Sequence, residues 1–133
     1  MSHTIDWTTL GTTVATLTAD TNINVNTAYT FVPVTGLTLT PSDTPNGARL
    51  LVDVSLALKA PAGSSRDRYI RVIYNGQNYG GCGVNSDAGD WVCISALALI
   101  PYNGSGSIEI QLTSGTTGTY QILSRSTAVA FRV

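Results

Sequence analysis

The sequence predicts an all-β fold, a two-sheet antiparallel sandwich, and three observations predict it. Apolar and polar residues alternate at period two along most of the chain, the pattern of a strand with one face buried. No stretch of eleven or more residues keeps apolar positions at i, i+3, i+4 and i+7, so helix content should be close to nil. Clusters of Pro, Gly, Asn, Asp and Ser divide the 133 residues into eight or more short runs. Several connections are too long for simple hairpins, which favours two packed sheets over an open meander.

In chain order, residues 1–11 read as an N-terminal arm and 12–133 as a single domain. Within the arm Ile5, Trp7 and Leu10 are candidate anchors into a neighbouring subunit, the alternative being that Trp7 closes one end of the sandwich. Strands are expected at 12–18, at 23–25 and across 29–40, the last interrupted near Pro33 and Gly36. This region is threonine-rich, with fourteen of the nineteen threonines lying before residue 45. Their β-branched side chains suit strands and their hydroxyls tolerate water, so they supply a polar surface without charge.

The clearest strand is 49–59, where Leu50, Val52, Val54, Leu56 and Leu58 share one face while Leu51, Asp53, Ser55, Ala57 and Lys59 share the other. Residues 67–75 and 77–84 flank Asn75-Gly76, a pair suited to a type I′ turn, and are expected to form a hairpin. In 91–100 both faces are apolar: Val92, Ile94, Ala96, Ala98 and Ile100 on one side, Trp91, Cys93, Leu97 and Leu99 on the other. Either a loop covers the outer face or that face lies in a subunit interface, which makes Trp91, Leu97 and Leu99 candidate assembly contacts. A turn is expected at 101–106, a strand at 107–113 with Ile108, Ile110 and Leu112 inward and Thr113 outward, a turn at 114–118, and a last strand over 120–133.

Composition excludes several function classes. Charged residues are only 11% of the chain, with net charge −1 and seven basic residues, so nucleic acid is not an expected partner. The apolar run near 96–100 is far too short to cross a bilayer as a helix, and the first ten residues lack the pattern of an export signal, so cytosolic synthesis is expected. His3 is the only histidine and Glu109 the only glutamate, which leaves neither a nucleophile–base pair nor a carboxylate pair in an evident cleft. We expect no enzyme activity and no cofactor. Asp87 and Asp90 form the only close acidic pair; turn formation accounts for them as well as calcium binding does.

Three constellations stay open. Cys82 and Cys93 would oppose each other in a hairpin centred near Asp87 and Ala88 and could bridge; a reducing compartment, or a connection passing between sheets, would keep them apart. Arg66, Arg68 and Arg71 are either an anion or partner site or the partners of acids such as Asp53 and Asp67. Tyr74, Tyr79, Trp91 and Tyr102 would stack on sugar rings if they gathered on one surface.

The order of features also carries a resemblance. An aromatic strand at Tyr29-Thr30-Phe31, the bend Val34-Thr35-Gly36-Leu37, the long alternating strand, Arg68 to Gly76 (RYIRVIYNG) and the terminal Ser126 to Val133 (STAVAFRV) follow in turn. Over residues 28–133 this resembles the jelly-roll modules of bacteriophage virion proteins that share the fold of tumour necrosis factor and the complement globular head. The resemblance implies a homotrimer with one sheet of each protomer facing inward, and a role either as a capsid decoration (cement) protein or as the receptor- or glycan-binding head of a tail fibre. A short arm in place of a stalk favours decoration, with the major capsid protein or another virion protein as partner and the virion as location.

Overall fold

The strongest alternation in the sequence becomes the central strand of the larger sheet. The structure, a computed structural model, describes residues 12–61, 67–85 and 91–133. The expected arm at 1–11, with Ile5, Trp7 and Leu10, lies outside the described residues, as do Arg66, Asp87 and Asp90. The described residues form β1 (Thr13–Thr16), β2 (Thr21–Val25), β3 (Val32–Pro33), β4 (Asn46–Lys59), β5 (Asp67–Tyr74), β6 (Gln77–Asn85), β7 (Trp91–Asn103), β8 (Ile108–Ser114), β9 (Gly118–Ile122) and β10 (Thr127–Arg132), with no helix.

In the six-stranded sheet β4 carries β7 along one edge and β10 along the other. β1 lies outside β10; β9 joins the β10 side at Leu58 and Lys59, with β2 beyond it. The second sheet runs β3-β8-β5-β6. The chain crosses between sheets at six of the nine connections between these strands, and all pairings are antiparallel, which is jelly-roll topology.

The core lies between the sheets. The inward series of β4, from Leu50 to Leu58, meets Ile70 and Val72 of β5, Ile94 and Ile100 of β7, and Ile108, Ile110 and Leu112 of β8, all buried. Burial of each such side chain contributes roughly 1.5–3 kcal/mol relative to exposure. β5 and β6 meet as expected through Asn75 (φ 50°) and Gly76 (φ 76°), with Tyr74 opposite Gln77.

The structure departs from sequence expectation at four places. β7 does not end at residue 100 but runs through Pro101 to Asn103, because Tyr102 is buried and its hydroxyl donates to the Gly106 carbonyl at 2.9 Å. Pro101 is tolerated since, among the described residues, β4 is the only ladder partner of β7. The 29–40 region contributes only β3 and an isolated bridge from Leu39 to Ile108, because a turn closed by Leu37 N–H on the Val34 carbonyl interrupts it. Thr113 is buried rather than outward, its hydroxyl donating to the Thr30 carbonyl at 2.8 Å.

The fourth departure breaks the expected final strand between Ile122 and Thr127. On the β10 and β9 edge of β4 the ladder has a gap at Ala57, and the Ser126 hydroxyl takes the Ala57 N–H at 2.9 Å while Leu123 N–H donates to the Ala57 carbonyl. Ser126 is 1% exposed. Ser126→Ala is therefore expected to strand a buried donor and lower stability by roughly 1.5 kcal/mol, measurable by urea denaturation; an unchanged midpoint would show that the ladder closes without it.

The tyrosines at one end of the sandwich add a pH dependence. Burial first, and neighbouring Tyr74 second, raise the Tyr102 phenol above its ordinary 10.0. A proton held more tightly in the folded state gives stability that is complete below the unfolded value and is lost as pH rises through the folded one. Thermal stability should thus be flat in this group's contribution up to about pH 10 and decline above it, and Tyr102→Phe should flatten that decline in an alkaline denaturation series.

Candidate functional site

Period-two geometry sends alternate residues of β7 to opposite sides. Val92, Ile94, Ala96, Ala98, Ile100 and Tyr102 turn toward the core, whereas Trp91, Cys93, Ser95, Leu97, Leu99 and Pro101 face out and are exposed. Leu97 is 62% exposed and Leu99 and Trp91 are each 48% exposed. Of the two alternatives, a loop covering this side is not found among the described residues. Among the described residues the face is open, and Trp91, Leu97 and Leu99 lie on it together.

Cross-strand register extends the apolar surface from β7 across β4 and β10 to β1. One row reads Val14, Val129, Asp53, Leu97 and the next Phe131, Leu51, Leu99. Val14 is 58% exposed, and Leu51, Val129 and Phe131 are half-buried. Asp53 is the single charge inside these two rows. A crescent of polar residues, Thr16, Thr127, Ser55 and Ser95, forms the following row, and at the far end Lys59 holds its ammonium 5.4 Å from the Trp91 ring centroid. Around the β7 edge a crevice of about 430 Å³ continues the face, bounded by Asp53, Ser95, Ala96 and Leu97 and by Gly81 and Cys82 of β6.

This crevice exists because β6 comes very close to β7. Gly80 has no side chain, and a Cβ there would lie 2.6 Å from the Leu97 carbonyl oxygen and 3.1 Å from the Ala98 methyl. The same crossing from β6 to β7 decides the cysteines. Cys82 sits in the four-stranded sheet opposite Ile70, and Cys93 in the six-stranded sheet opposite Ala57; both are free. The hairpin that would have bridged them does not form.

Arg68 and Arg71 are not brought together. Arg68 and Arg71 are three residues apart on β5, an odd offset, so they point to opposite faces. Arg68 is fully buried, with its guanidinium carbon 5.9 Å from the Tyr120 ring centroid, which removes it from any external anion site. Arg71 lies outside, packed 3.9 Å over the Phe31 ring and donating from Nε to Gln111 at 2.7 Å.

Nor do the four expected aromatics make a surface. Tyr74 and Tyr102 are buried, with ring centroids 5.2 Å apart, and Tyr79 leans on Tyr74 from the half-buried side. The Tyr74 hydroxyl accepts from Asn103 N–H and donates to the Ser105 carbonyl at 2.7 Å. Trp91 alone of the four is open to solvent. The rings that sequence reasoning missed are Tyr29 and Tyr69, both exposed. Tyr69 was detectable: it alternates with Ile70 and Val72 and so must face away from the core.

No protein-family model matches the chain, and no curated protein matches it. Solved structures share its fold. The structure of Eiger TNF from S. frugiperda superposes with a TM-score of 0.63 at 10% identity, covering 92% of this chain and 91% of that one. Infectious bursal disease virus of the Gx strain gives a TM-score of 0.52 at 16% identity, and its VP2 subviral particle 0.51 at 14%. Each covers 90% of this chain, which spans only 32% of the viral chains. At such identities the likeness is one of fold, and that fold is the jelly roll.

Proposed function

We propose that the chain is a non-catalytic phage virion protein, a homotrimeric capsid decoration (cement) protein that stabilises the shell. The observation that carries this reading is the open apolar face spanning β1, β10, β4 and β7. Exposed leucine, valine and tryptophan in register across four strands are costly to leave in water, and a chain with so few charges has little else to keep that face solvated. Burial against copies of itself around a closed axis uses the same face on every protomer. The resemblance of the 28–133 region to virion jelly rolls supports the choice of a shell, and the sandwich fold shared with capsid chains is compatible with it.

In this role the protein acts mechanically. Each trimer adds contacts between neighbouring copies of the major capsid protein, and many modest contacts repeated over a shell sum through multivalency. The second reading, the receptor- or glycan-binding head of a tail fibre, uses the same trimer at another place on the particle. Light scattering of the purified protein should give three times the chain mass, and labelled electron microscopy of particles should place it on the capsid. A monomer at high concentration, or absence from purified particles, would reject the proposal, and label at fibre tips would select the second reading.

A further inference from the structure

The two exposed tyrosines lie on the opposite sheet from the apolar face, and the assembly reading makes no use of them. Tyr69 stands on the outer face of β5, 38% exposed, and Tyr29 projects from the segment between β2 and β3, 57% exposed. Tyr29 adopts φ 60°, a left-handed backbone unusual for a bulky residue, and strain of this kind clusters where a side chain must be aimed. Its N–H is fixed on the Ser114 carbonyl at 2.8 Å, and the turn is closed by Thr30 N–H on the Thr27 carbonyl. The outcome is a ring 6.4 Å from that of Tyr69, tilted by 49°, whose hydroxyl donates to Asp67 Oδ2 at 3.1 Å.

β6 is shaped to match. Gly83 pairs with Tyr69, and a Cβ at that position would lie 2.5 Å from Tyr69 Cδ1 and Cε1. Glycine lets the ring lie against the β6 backbone. Beside the ring is a depression of about 170 Å³ lined by Tyr69, Gly83, Val84 and Asn85. Asn85 is exposed and pairs with Asp67 in register, so an amide and a carboxylate flank the rings.

We propose that Tyr69 and Tyr29, with Asp67 and Asn85, form a binding site for one neutral pyranose ring of a glycan. Aromatic faces meet the C–H face of a sugar, while a carboxylate and an amide accept and donate to hydroxyls on its edge. Asp67 places a carboxylate at the site, and Arg71, the cation among the described residues of this face, is held by Phe31 and Gln111, which together favour a neutral sugar. The polar flanks suit a hydroxyl-rich ligand better than the apolar centre of a protein interface. Hydrogen bonding to Asp67, then the charge of Asp67, raises the Tyr29 phenol above its ordinary value.

The test is an amide-detected NMR titration of the full chain with methyl glucoside, methyl galactoside, N-acetylglucosamine and sialic acid. At least one neutral sugar should give saturable shifts at Tyr69, Gly83, Val84 and Asn85. Tyr69→Ala and Tyr29→Gly should each weaken binding about tenfold or more, by loss of a stacking face. Tyr29→Gly removes the ring while suiting the backbone, which guards against mere unfolding. No saturable shift with any neutral sugar, equal affinity in Tyr69→Ala, or tighter binding of sialic acid would each overturn the proposal. The site does not depend on the assembly reading: a monomer that binds sugar would reject the trimer and leave this site standing, and a trimer that binds none would do the reverse.

Discussion

Replacing Leu97 and Leu99 together by glutamate is expected to convert the proposed trimer to a monomer at every practical concentration. Both side chains are solvent-exposed in the protomer, so the fold itself should lose no more than about 0.5 kcal/mol. In the trimer each protomer would place both on the shared face. Losing the burial of two leucines forfeits about 1.5–3 kcal/mol apiece, and the new carboxylates would be desolvated beside Asp53, which register sets opposite Leu97. Cyclic symmetry repeats the loss at each interface. Sedimentation and a thermal melt read the two halves separately: the mass should fall to one chain while the low-concentration melt holds. A double variant that still sediments as a trimer would show that copies meet through another surface.

Gly80→Val should strongly destabilise the seam between β6 and β7, by around 3 kcal/mol, toward the upper end for overpacking. Most overpacked sites relax by moving a side chain. Here the nearest atom is a backbone oxygen, that of Leu97, whose strand is tied to β4 over its whole length. Relief requires β6 to separate from β7. Urea denaturation should show the lower midpoint, and the Cys82 thiol, at that same seam, should react faster with a maleimide reagent. Gly47 offers a contrast, since nothing lies within 4 Å of a Cβ there and the cost of Gly47→Ala comes only from its φ of 92°. A Gly80→Val midpoint no lower than wild type would mean that the two edges are less closely locked.

Much of this architecture was legible because strands write their faces into the sequence. The inward series of β4 and the Asn75-Gly76 hairpin were read correctly from alternation and turn chemistry. Errors arose where a tertiary partner overrode a local signal. Pro101 looked like a stop, but burial of Tyr102 carried β7 past it. Ser126 looked like one more alternating position, yet its hydroxyl replaces a ladder bond. The outer face of β7 was recognised, whereas its continuation through Val14, Val129 and Phe131 depends on which strands become neighbours, and alternation carries no record of that. Arg68 and Arg71 part for a reason available in the sequence, since an odd spacing on a strand separates side chains. Tyr29 owes its place to a left-handed turn at a residue type with no preference for one, and nothing local announces it.

The topology also dictates a timetable. The four-stranded sheet has all its members once β8 has been synthesised, but the larger sheet cannot knit together until β10 arrives to join β1 and β4, more than seventy residues after β4 was made. Sheets closed by such distant partners form slowly. The leucines of β7 therefore emerge from the ribosome before the surface that will display them exists. Any contact between copies made through that face must therefore wait for finished protomers.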